Sequence, residues 1–166
     1  MVRAIVRAAA VVDAERPGSV LEVNDLGFRE GGAIPHHGSH RAGRDVDILF
    51  YALDMRGEVR APLGVPIEPD GHGTDFGDLL DPADDVDMRI DVPRTWRFVQ
   101  ALVLDEEALV QRIFLVEHVR AMLLAHAEAI HAPRDAIDRF AEVTCQPGVP
   151  HDDHLHVRFF CTTEDL

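Results

Sequence analysis

The run His151-Asp152-Asp153-His154-Leu155-His156-Val157-Arg158-Phe159-Phe160-Cys161 alternates polar and apolar residues from His154 to Phe159. On a strand, successive side chains point to opposite faces. His154, His156 and Arg158 therefore share one face, and Leu155, Val157, Phe159 and Cys161 the other. Such a strand is constrained from both sides. Its apolar face must pack against a core, and its polar face presents two imidazoles two residues apart, an arrangement suited to a metal ion. A zinc hydrolase is the hypothesis that follows.

The chain has 166 residues, 46% of them apolar, which fits one domain over residues 1–166 with a substantial core. The formal net charge of -14 argues against a nucleic-acid partner, because phosphate contacts need basic side chains. It argues equally against an anionic membrane surface. All 16 basic residues are Arg, which reads as genome composition. Two cysteines, Cys145 and Cys161, are too few for a disulfide framework, although one bridge or two free buried thiols are both open. No apolar run reaches the length of a membrane span. Met1–Arg7 is a poor signal peptide, so a protein working outside the cytoplasm would have its export segment removed or outside this sequence.

The periodicity predicts a helix over residues 2–14, with Val2, Ile5, Val6, Ala9 and Val12 on one stripe, stopped by Pro17-Gly18. A short strand around Val20–Asn24 follows, then a loop from Gly27 to Gly43. Asp45–Leu53 reads as one strand, with Val46, Ile48, Phe50 and Ala52 opposite Asp45, Asp47, Leu49 and Tyr51. Residues 57–93, rich in Gly, Pro and Asp, read as a long loop. Further helices are expected at Thr95–Leu104 (Trp96, Val99, Leu102 and Val103 inward), Glu117–Ala132 (Val119, Met122, Leu123 and Ile130) and Arg134–Val143. A strand is expected at Val110–Leu115. Strands and helices mix without βαβ alternation, so the class is α+β.

Six of the ten histidines fall in two clusters, His36-His37-Gly38-Ser39-His40 and His151–His156. A hydrolytic zinc takes three protein ligands of N or O type and leaves one position for water. His40, Asp47 and His156 could supply them, His40 from a loop, Asp47 from the strand after it, and His156 from the distant end of the chain. Solvated histidines on an edge strand and in an exposed loop are the competing reading.

The two clusters together resemble the penicillin-insensitive murein endopeptidases. The resemblance is carried by Pro35-His36-His37-Gly38-Ser39-His40-Arg41-Ala42-Gly43-Arg44-Asp45-Val46-Asp47 and by His151-Asp152-Asp153-His154-Leu155-His156-Val157-Arg158. Asn24-Asp25-Leu26, Gly31-Gly32, Trp96, Val110–Phe114 and Leu123-Leu124-Ala125 match in type and order, so it spans about Val2 to Cys161. It implies a small, mostly antiparallel sheet flanked by helices, of the fold shared by lysostaphin-type enzymes, D-Ala-D-Ala metallopeptidases and the hedgehog signalling domain. Zinc would sit in a groove over the sheet. It further implies His40, Asp47 and His156 as zinc ligands, His154 as the catalytic histidine beside the metal, His151 as a further active-site histidine, and His37 as a neighbour. The substrate would be the cross-linking peptide of peptidoglycan, cut between D-alanine and diaminopimelate, in the periplasm or outside the cell. Members of the family usually begin with a secretion signal, and some carry more cysteines.

The chain has only Ser19 and Ser39, neither in a serine-nucleophile motif, and Cys145 lacks a thiolate-activating context. His154 shares a strand face with His156, which places it near a metal without binding it and suits it to proton transfer or oxyanion stabilisation. Asp152 or Asp153 can orient a histidine, against a solvated turn as the plainer reading. Eight aspartates between Asp70 and Asp91 lack the EF-hand pattern and read as a solvated loop, as His72 does. His118, His126 and His131 read as surface or interface residues, and Tyr51 as lining the pocket or packing beneath it. Two rival readings share the metal set: a D-Ala-D-Ala carboxypeptidase or dipeptidase, and a non-catalytic binding domain stabilised by zinc.

Overall fold

The computed structural model describes residues 1–35 and 37–161, so His36 lies outside the described residues. In chain order the elements are α1 (Val2–Glu15), β1 (Asp45–Leu49), β2 (Ala52–Leu53), β3 (Val59–Arg60), β4 (His72–Asp75), β5 (Val86–Ile90), α2 (Val92–Val103), β6 (Val110–Phe114), α3 (Glu117–Ala129), α4 (Arg134–Val143), β7 (Thr144–Cys145) and β8 (His154–Phe159). They form an α+β fold with two four-stranded sheets, ordered β1-β8-β6-β7 and β3-β2-β5-β4. Every strand pair is antiparallel except β6–β7.

β8 lies inside the first sheet, hydrogen-bonded to β1 on one side and β6 on the other. Its alternation is the one the sequence predicts: Leu155, Val157 and Phe159 are buried in the core. The register then fixes the polar face, because directly opposite residues in an antiparallel pair point the same way. Asp45 stands opposite Arg158, Asp47 opposite His156, and Leu49 opposite His154. Two carboxylates of β1 thus share a surface with the histidines and arginine of β8.

Helices supply the rest of the core. Asp91 caps α2, its carboxylate accepting from the Arg94 backbone N–H at 3.0 Å, and Pro93 sits in the first turn, where its missing donor is harmless. Trp96 meets Phe140 of α4 edge to face, with ring centroids 5.5 Å apart. α4 spans the predicted residues, and its Ala136, Ile137, Phe140 and Val143 are buried.

Several expectations change. Residues 57–93 are not one loop: β3, β4 and β5 lie within them, and α2 begins at Val92. The predicted strand 45–53 breaks at Phe50-Tyr51, and β1 and β2 enter different sheets. Val20–Asn24 forms no regular strand. It covers the free edge of β1 through Leu49 N–H to Glu22 O and Asn24 N–H to Asp47 O, and the pairing then slips, with Asp47 N–H to Asp25 O. α1 buries Ala4, Ile5, Ala8 and Val12 and exposes Val2 and Val6, because small side chains let α1 approach α2 closely. α3 ends at Ala129 with Ile130 exposed, not inward, and His131 beyond it has a positive φ of 53°. Tyr51 packs in the core against Phe98 instead of lining the pocket. Cys145 and Cys161 are exposed free thiols. Cys145 stands beside Phe114, which faces His156. Cys161 lies five residues beyond His156, roughly 17 Å along the strand, out of disulfide reach.

Candidate metal centre

His40 reaches the β1–β8 surface from the loop that precedes β1, and the loop's glycines make this possible. A Cβ on Gly27 would lie 2.8 Å from the His40 carbonyl oxygen. Gly31 has φ +72°, and the Gly32 N–H donates to Arg41 O at 2.9 Å. The loop is thereby folded tightly on the His40–Arg41 backbone, and the His40 side chain is fully buried.

His40, Asp47 and His156 converge. His40 Nε2 lies 3.2 Å from Asp47 Oδ2 and 3.4 Å from His156 Nδ1, and His156 Nδ1 lies 3.0 Å from Asp47 Oδ1. Three donors about 2.0–2.2 Å from a tetrahedral ion are separated by about 3.3–3.6 Å, close to this spacing. Asp47 Oδ1 is buried with no hydrogen-bond partner among the described residues, although imidazole nitrogens stand at 3.0 and 3.3 Å. Both nitrogens are near enough to this oxygen to bond it, yet neither contact meets hydrogen-bond geometry. His37 Nδ1 is 3.5 Å from Asp47 Oδ2, and its ring meets that of His40 edge to face. Two separate groups, His37/His40/Asp47 and His151/His154/His156, are each compact enough to hold a metal ion, and His40, Asp47 and His156 draw on both.

The surroundings prepare these donors. Burial pushes the His40 imidazole pKa down and outweighs the nearby Asp47, leaving the ring neutral and able to bind a metal. Burial opposes ionisation of Asp47, but His154 and His156 beside it hold its carboxyl well below the usual carboxylate range. His156 Nε2 donates to Asp45 Oδ1 at 3.0 Å, which leaves Nδ1 as the nitrogen that faces Asp47; burial lowers the pKa of this imidazole, but Asp45 and Asp47 outweigh it and raise it. Asp45 also accepts from Arg158 Nε at 2.6 Å, and Ser39 Oγ stands 3.3 Å from His156 Nε2.

His154 and His151 flank the cluster, with ring centroids 4.9 Å apart. His154 Nδ1 bonds Asp153 at 2.5 Å and its Nε2 lies 3.3 Å from Asp47 Oδ1. Asp153 is thus the orienting carboxylate, and the solvated-turn reading fails for it. Burial lowers the His154 pKa, but the two carboxylates outweigh it and bring the imidazole to about 9. His151 differs. Its Nδ1 donates to Val149 O at 3.0 Å, so Nε2 carries the lone pair, and burial followed by repulsion from His154 pushes its pKa down. All of these rings except that of buried His40 line a cleft of about 630 Å³ walled by Gly38, Ser39 and the segment Pro147–Pro150.

Sequence reasoning missed Asp45, whose signal was present: it lies two residues before Asp47, on the same strand face. It also missed Phe114, whose ring stands 5.4 Å from that of His156 and is brought there by the β6–β8 register. His118, read as a surface or interface residue, lies at an interface: it donates from Nε2 to Ile67 O at 2.6 Å and ties α3 to that segment. The aspartates at 75, 78, 81 and 84 accept from backbone N–H groups of their own turns, as a solvated segment would.

No curated protein matches the chain. A buried His/Asp cluster able to hold a metal ion, set in a cleft with two further histidines, accords with the family model for penicillin-insensitive murein endopeptidase. That model matches residues 1–166, and the chain belongs to this family.

Proposed function

We propose that this chain is a zinc-dependent peptidoglycan hydrolase that cleaves D-alanyl–diaminopimelate cross-links. Membership of a murein endopeptidase family supports action on peptidoglycan. The observation that carries the metal is the convergence of His40 Nε2, Asp47 and His156 Nδ1 at 3.0–3.4 Å around an otherwise unsatisfied carboxylate oxygen. These three would hold zinc, and Asp45 would orient His156 in a carboxylate–histidine–metal arrangement. His37, the more exposed neighbour, would steady Asp47 from the cleft side. This reading places the chain in the fold shared by lysostaphin-type enzymes and D-Ala-D-Ala metallopeptidases, with the metal in the cleft over the first sheet. It also places the protein in the periplasm or outside the cell, where its substrate is. No helix of the described residues is long and apolar enough to cross a membrane.

Zinc held there supplies Lewis acidity, which polarises a carbonyl and makes water a usable nucleophile near neutral pH. The chain's own residues divide the proton traffic. His151, with Nδ1 committed to Val149 O, offers the Nε2 lone pair to a water proton. His154, held between Asp153 and Asp47, carries N–H on both nitrogens and donates toward developing negative charge or to the leaving amine. Neighbouring groups whose environments differ in this way make an acid and base pair.

The test is incubation of purified protein with cross-linked sacculi, with and without a chelator, and analysis of the muropeptides by mass spectrometry. Loss of cross-linked dimers that stops with chelator and returns with added zinc is expected. Intact dimers despite bound zinc would overturn the reading.

A further inference from the structure

We infer that Arg112 and Arg158 form an anion subsite beside the metal cleft, which takes a substrate carboxylate on a residue flanking the scissile bond. The inference rests on the peptidase reading for its substrate, and on separate observations for its site. Arg112 of β6 and Arg158 of β8 stand directly opposite each other in the sheet. Like charges in that position repel and cost stability unless something lies between them. The chain has 30 acidic residues to 16 basic ones, so most surface arginines can find a carboxylate. Among the described residues, this pair does so once. Arg158 Nε bonds Asp45, a buried carboxylate already shared with His156. Arg112 Nη1 donates to the Glu142 backbone oxygen, at 3.2 Å. The carboxylate of Glu142 is taken by Arg139 at 2.7 Å. Among the described residues, both Nη groups of Arg158, and Nε and Nη2 of Arg112, have no protein acceptor.

The pair is preorganised and correctly placed. The Arg158 guanidinium is held at Nε and lies 5.5 Å from the centre of the Phe114 ring, which limits its motion. It lines both the metal cleft and an adjoining cavity of about 490 Å³ that also contains Arg112, Arg139 and Glu142. Planar guanidinium edges match the two oxygens of a carboxylate. Arg158 is two residues from His156 along β8, roughly 7 Å, a distance that an extended peptide covers in about two residues. A carboxylate next to a scissile carbonyl seated at the metal site therefore falls within reach of the pair.

Two synthetic D-alanyl–diaminopimelate peptides test this, one with a free carboxylate on the residue after the scissile bond and one with a carboxamide there. Binding to zinc-loaded protein is measured by calorimetry beside turnover. The wild type should bind the carboxylate form roughly ten-fold more tightly, and Arg112→Gln should reduce that preference to about two-fold or less. The loss should appear in KM more than in kcat, and Arg112→Lys should recover part of it. Arg112 is exposed, so these variants keep the fold. No preference in the wild type, or a preference unchanged in Arg112→Gln, would overturn the subsite. If neither peptide is cleaved while the binding preference is present and lost in the variant, the subsite stands and the peptidase reading fails.

Discussion

Asp45 accepts from His156 Nε2 and Arg158 Nε with one oxygen, so a single carboxylate sets the tautomer of a proposed ligand and the pose of an arginine lining the cleft. Burial opposes its ionisation, but the bonds from His156 and Arg158 keep its pKa below the ordinary value. Asp45→Asn places an amide where the charge was, and an amide cannot hold both donors equally well. Zinc affinity should fall roughly 10–100-fold, as when other carboxylates behind ligating histidines are lost. Competition against a chromophoric chelator measures this, and a change under two-fold would show that Asp45 does not orient His156. The histidines were legible because their spacing on β8 defines a face. Asp45 shares the strand face of Asp47, which the sequence does show, but its partner Arg158 comes from the register of distant strands, which the sequence does not.

Elements differ in how much of themselves the sequence declares. β8 could be read because its buried face is carried by Leu155, Val157 and Phe159, and α4 because its apolar stripe is bounded by Pro133 and a β-branched exit. The second sheet was unreadable for a physical reason. β4 buries a glycine, Gly73, where a Cβ would lie 2.7 Å from Pro66 O, and β5 buries only Met88 and Ile90. Aspartate-rich turns hide such short strands. The loop before β1 was read as a loop, but not the tight path by which it delivers His40. Gly27→Ala forces a methyl against the His40 carbonyl oxygen and must shift that backbone. The expected outcome is a zinc affinity at least roughly ten-fold weaker, with far-ultraviolet circular dichroism unchanged, since 1.4 kcal/mol of misplacement suffices. Unchanged affinity would mean that the loop tolerates movement.

The whole molecule joins a helical layer to two sheets through a continuous core, and Tyr51 sits within it where the chain passes from one sheet to the other. Its hydroxyl is buried without a partner among the described residues, and burial raises the phenol from 10.0 to about 12. The folded state therefore holds the proton more tightly than the unfolded state. Stability from this group is complete below pH 10 and is lost as pH rises toward 12, by up to roughly 2 kcal/mol. Tyr51→Phe should fold normally and should flatten urea-midpoint stability between pH 10 and 12; an unaltered alkaline decline would locate its cause elsewhere. The same whole-chain logic applies to the proposed metal, because an ion held by residues 40, 47 and 156 would tie distant parts of the chain together, and its binding would become folding free energy. The most direct measurement is zinc content and thermal midpoint of the wild type, His156→Ala and His154→Ala, read beside sacculus hydrolysis. The wild type should hold one zinc and melt higher with it. His156→Ala should lose the metal and its stabilisation, and His154→Ala should keep both while losing hydrolysis. Loss of zinc from His154→Ala, or its full retention by His156→Ala, would contradict the assignment of binding to one histidine of β8 and chemistry to the other.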